Sequence, residues 1–165
     1  MNTSSKAANI VGYKPFYIQR DNQLKADDTK SAWGMIAKSN PYPALPNPKD
    51  PYKNNWLDRD GEDEYTREMF YEPMTIEVEF YAKAVGSSAA ETLRGWMDDF
   101  FEHIRNGEFK IYDSYTALGF GGVRYAGYKE GSYKARNGWA SAMFTVSFKI
   151  NAPATHLSFT NGRIQ

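Results

Sequence analysis

The sequence predicts an α+β domain: a mostly antiparallel β-sandwich or split barrel, one flanking helix at about 88–106, and a long irregular N-terminal arm. Three observations carry this. Residues 75–82, TIEVEFYA, alternate strictly, with Ile76, Val78, Phe80 and Ala82 on one face, the period of a half-buried strand. Residues 86–107 change period: Leu93, Trp96, Met97, Phe100, Phe101 and Ile104 fall at steps of three and four, one wide apolar stripe of a helix. After that helix come three strand-like runs and no second helical period, which excludes the strand–helix alternation of a nucleotide-binding α/β fold.

Taken in order, residues 1–55 read as an extended arm. Five of the eight prolines (Pro41, Pro43, Pro46, Pro48 and Pro51) lie within 40–56, where they remove backbone donors and favour extended conformations. The interleaved Tyr42, Leu45, Tyr52 and Trp56 suit an arm laid on a protein surface rather than a free linker. A domain at 56–155 follows. Ser88 with Glu91 predicts a capping box at the helix start, and Asn106-Gly107 its stop. Residues 108–115 read as a strand with Phe109, Ile111 and either Asp113 or Tyr115 on one side. Residues 121–129 and 139–150 are the next two strands, with turn-rich 130–138 as a hairpin tip and 119–122, GFGG, as a flexible connection. Residues 156–165 form a short tail. On this reading, removing 1–55 leaves a folded 75–150 core and weakens assembly.

The totals narrow the function. The chain has 165 residues, enough for one domain, and twenty basic residues balance twenty acidic ones. Zero net charge argues against a protein whose main work is neutralising phosphates, so no sequence-specific nucleic-acid partner is expected. The absence of cysteine excludes disulfides, thiolate zinc sites and cysteine nucleophiles. No apolar run is long enough for a signal peptide or a spanning helix, so synthesis in a cytoplasm and no membrane partner are expected.

Candidate chemistry is thin. The stretch WLDRDGEDEY, 56–65, gathers carboxylates around Gly61. With Asp58 as the first position of a calcium loop, the glycine comes two positions too early and position twelve is Met69, so the spacing fails. Asp58, Asp60, Asp63 and Glu64 remain weak candidates for a nonstandard cation site, against a solvated acidic turn. His103 sits near the helix C-terminus, where a cation suits the helix dipole, and His156 lies in the tail with no ligand-spaced neighbour. No G-x-S-x-G elbow or phosphate loop is present. No cofactor and no enzymatic activity are expected. Arg124, Tyr128, Tyr133 and Arg136 make a basic, aromatic patch better suited to a protein interface than to nucleic acid or sugar.

The segments DRDGEDEYTREMFYEPMTIEVEFYAKA, WMDDFFEHIRNGEFKIYDSY, GGVRYAGY and FTVSFKINAP resemble small tail proteins of tailed bacteriophages. The likeness is to the N-terminal domain of distal-tail proteins and to tail proteins of Bacteroidetes phages, over about residues 56–155. It implies a structural virion protein with a tail-tube-like fold. It further implies a homo-oligomeric ring, commonly a hexamer, around the tail channel, in contact with other phage tail proteins and located in the virion. A tail terminator or tail tube protein of the same fold is the alternative within the class. From other classes, a carbohydrate-binding module would use exposed tyrosines, and a hydrolase would use Asp60 or Asp63.

Overall fold

The computed structural model describes residues 12–39, 45–61, 63–65 and 67–165. In chain order these form β1 (Phe16–Arg20), β2 (Asp27–Asp28), α1 (Thr29–Trp33), β3 (Ile36–Ser39), β4 (Lys53–Asn54) and β5 (Asp63–Glu64). Then come β6 (Met74–Val85), α2 (Ala89–Ile104), β7 (Phe109–Asp113), β8 (Leu118–Arg136), β9 (Trp139–Ile150), β10 (Phe159–Thr160) and β11 (Arg163–Ile164). The fold is α+β, and its main sheet is antiparallel throughout, in the order β2-β1-β7-β8-β9-β6-β3.

This single sheet curls into an open barrel. Four strand spacings separate β1 from β6, about 19 Å if the sheet were flat, yet the rings of Phe16 and Phe80 lie 5.8 Å apart. The short link through α1 joins the two edge strands β2 and β3 and so spans the open side. Gly34 ends α1 in a left-handed conformation at φ 69°, and a Cβ there would lie 2.8 Å from the Trp96 ring of α2. Glycine lets the two helices approach over the barrel mouth.

The alternation read in β6 is the observed burial pattern. Ile76, Val78, Phe80, Ala82 and Ala84 are buried, and in β9 Ala140, Ala142, Phe144, Val146, Phe148 and Ile150 face the same core. α2 lies over these strands, with Leu93, Phe100 and Ile104 buried and Trp96, Met97 and Phe101 packed at its flanks. Phe100 is the hub, its ring within 5.2 Å of Phe80, 5.5 Å of Trp33 and 6.3 Å of Phe144. β7 buries Asp113 where a choice between Asp113 and Tyr115 stood open. Its carboxylate accepts from the Tyr115 backbone N–H at 2.9 Å and the Thr116 hydroxyl at 3.1 Å, which satisfies a buried charge and shapes the turn into β8.

Several expectations are corrected. Residues 16–39, read as arm, are part of the sheet, with Phe16, Ile18, Trp33, Met35 and Ile36 buried. The sheet therefore crosses the boundary expected at 55/56, and the irregular part among the described residues is 45–73. Ser88 precedes α2 but makes no side-chain cap hydrogen bond. The GFGG stretch lies inside β8, where a Cβ on Gly119 would meet the Leu157 carbonyl at 2.7 Å. The expected hairpin tip at 130–138 shrinks to Asn137-Gly138, because β8 continues to Arg136 through two bulges. The tail is also built in: β10 and β11 form a hairpin turned by Asn161-Gly162, both at positive φ. Gln19 accepts from the Ile164 N–H at 2.7 Å, and Phe159 stacks on Tyr17 at 4.3 Å.

Candidate interaction surface

Among the described residues the barrel leaves a long edge of β8 open. β7 pairs with β8 only as far as Val123, so among the described residues 124–136 has a partner on one side alone, β9. The two bulges, at 125/127 and 130/132, decide which side chains share a face. Cross-strand partners place Arg124 opposite Lys149, Lys129 opposite Thr145, Lys134 opposite Ser141 and Arg136 opposite Trp139, all on the face away from the core. Five cations thus line the outer face of β8 and β9. Arg124 and Lys149 stand directly opposite, a like-charge pair that is unfavourable on its own. Among the described residues none of the five makes an ion pair.

The other face of the same edge borders a groove against α2, about 750 Å³ in volume, lined by Leu93, Met97, Phe101, Tyr128, Tyr133 and Phe144 among others. Tyr128 packs edge-on to Phe101 at 5.4 Å, and burial with Glu130 nearby pushes its hydroxyl pKa up. Tyr133, 61% exposed, lies at the open end. At the opposite end of β6, residues 45–73 leave the sheet as an excursion. Among the described residues its only regular pairing is the hairpin of two-residue strands β4–β5 with a Pro48–Tyr71 bridge. Leu45, Tyr52, Trp56, Leu57, Tyr65, Met69 and Phe70 are all exposed on it.

The structure therefore sorts the residues singled out in the sequence. Leu45, Tyr52 and Trp56 are exposed on the excursion, and Tyr42 lies outside the described residues. Arg124 and Arg136 share the outer face of β8, and Tyr128 and Tyr133 lie on the face turned toward α2. Asp58, Asp60, Asp63 and Glu64 do not converge. Asp63 accepts from the Trp56 indole at 3.1 Å and Glu64 pairs with Lys53 at 3.2 Å. Among the described residues no three acidic or histidine side chains group to hold a metal. Leu57, Tyr65, Met69 and Phe70 were missed in sequence, their only signal being large apolar residues outside any periodic run.

His103 is corrected. It packs on Trp33 at 4.7 Å with Nε2 buried and unbonded, 3.8 Å from Asp27. Burial lowers its pKa, and Arg20 adds to this while Asp27 opposes it. The cation at the helix end is Arg20, which donates to the carbonyls of His103 and, at 2.6 Å, Asn106. A depressed histidine pKa means the unfolded chain binds the proton more readily. Stability is therefore full above about pH 6.5 and falls as pH drops below it. Thermal melts from pH 8 to 5 will show this decline, and His103→Gln will flatten it.

No protein-family model matches the chain, and no curated protein matches it by sequence. Among solved structures it matches the Dit protein (gp 19.1) of phage SPP1, a paradigm of the hub adsorption apparatus in phages that infect Gram-positive bacteria. The TM-score is 0.55 at 16% identity, over 87% of this chain and 52% of that protein. The shared property is the fold. The chain spans about half the length of that phage protein.

Proposed function

We propose that this chain is a non-enzymatic structural component of a phage tail, made in the host cytoplasm and assembled into a ring in the distal-tail or adapter region around the tail channel. The observation that carries the reading is the fold shared with the SPP1 hub protein over 87% of the chain. The surfaces agree with it. An open strand edge is a liability in a monomer and a contact in an assembly. Seven exposed large apolar side chains on one excursion exceed what a lone soluble domain needs to display. No charge imbalance opposes lateral association of like subunits.

Light scattering across a concentration series tests the reading. A closed species of fixed mass, about six chains in the sixfold case, or a climb into larger stacks, is expected. A monomer at every concentration, stabilised by added sugar or calcium, would instead favour a binding module.

A further inference from the structure

We infer that the basic outer face of β8 receives the acidic excursion at 45–73 from a second copy of this chain, a head-to-tail contact between unlike surfaces. The inference deepens the self-assembly reading and rests on it. Two surfaces of opposite charge stand apart on one neutral chain. The stretch 45–73 holds eight acidic and four basic residues, a net −4. The outer face of β8 and β9 carries Arg124, Lys129, Lys134, Arg136 and Lys149 and no acidic partner among the described residues. Like charges held face to face at Arg124 and Lys149 are relieved by an anionic partner.

In the observed arrangement the described part of the chain's own excursion makes no ion pair with this face. The excursion enters the sheet at Met74, whereas Lys134 and Arg136 lie near the Val85 end of β6. Eleven strand steps separate those ends, about 36 Å. The cavity in the excursion is lined by the excursion's own residues and not by the barrel, and strands of two residues are not independently stable. The free edge offers backbone groups beside the cations, and the α2–β8 groove on its other face offers apolar surface with Glu91, Arg94, Asp98 and Glu130 at its walls. Trp56, Leu57 and Tyr65, exposed near the acids of the turn, are suited to them. Because donor and acceptor surfaces differ, repetition of the contact closes a ring or extends a stack.

Charge reversal separates this from other uses of either surface. One variant carries Lys129→Glu and Lys134→Glu, the other Asp58→Lys and Asp60→Lys; all four side chains are exposed. Each variant alone should need at least about tenfold more protein to assemble, with an unchanged melting temperature. An equimolar mixture should recover assembly, because Asp58 and Asp60 of one variant then meet Lys129 and Lys134 of the other, and the introduced lysines meet the introduced glutamates. Wild-type assembly that both variants match would overturn the contact and leave the ring reading standing. Two defective variants that stay defective when mixed would overturn it as well. So would a lysine variant that assembles normally but loses binding to a single-stranded DNA oligonucleotide. A wild-type chain that never self-associates would sink both readings.

Discussion

A chain lacking residues 1–55 will not fold. Its far-UV spectrum will lack the sheet signature, and no cooperative melt will be seen. The deletion removes β1, β2, α1, β3 and β4, and with them the buried Phe16, Ile18, Trp33, Met35 and Ile36. Burial of each such side chain contributes about 1.5–3 kcal/mol, so the five together account for about 7–15 kcal/mol, as much as the whole stability of a typical domain. Two further losses add to this. β7 loses β1, one of its two partners, along its full length, and α2 loses the Arg20 cap on its last carbonyls. A truncated chain that still melts cooperatively would mean that 74–150 is a self-sufficient unit and that β1 and β3 are accessories.

Phe100→Ala will cost about 3–5 kcal/mol, read as a drop in denaturant midpoint at constant slope. Phe100 is fully buried and touches Trp33 of α1, Phe80 of β6, Phe101 of α2 and Phe144 of β9, so it joins both helices to the sheet. Truncation opens a void on the inside of the curl, where the surrounding rings are held by their own strands and cannot collapse into it. Phe101→Ala makes the useful contrast. Phe101 is only half-buried, on the groove side, and its loss should cost less and act on the shape of the groove beside Tyr128. Equal effects would place the structural centre elsewhere.

What the sequence made legible was whatever follows a regular local period. β6, α2 and β9 repeat at two or 3.6 residues over twelve or more positions, and no tertiary detail was needed to see them. β1 was hidden because it is five residues long and its alternation is broken by Gln19, which is buried through hydrogen bonds to Ile164 and Gln23 made only in the fold. Proline density then drew the whole N-terminal third into one extended arm, although the proline cluster begins at 41, beyond β3. Residues 130–136 looked like a turn because of Gly131 and Ser132. Gly131 is the extra residue of a bulge, where a Cβ would run into the Met143 carbonyl.

The interaction surface was less legible for the same reason. Arg124, Lys129, Lys134 and Arg136 do not share the parity of a single strand face. Each bulge shifts the alternation by one residue, and only after both shifts do the four cations fall on one side. The individual residues could be picked out by type, but their common face could not. His103 failed in the opposite way. Its position in the helix was right, but its pKa is lowered by burial, to which Trp33 contributes, and by Arg20, against the opposing Asp27, and all three residues arrive from far along the chain.

The most direct test of the central claim is to raise gold-conjugated antibody against this chain, label the tailed particles released by the cells that carry its gene, and image them by electron microscopy. The account predicts gold at the distal end of the tail, on a ring-shaped structure encircling the channel. Gold on the capsid, or intact tailed particles without label while the chain remains free in the lysate, would contradict it.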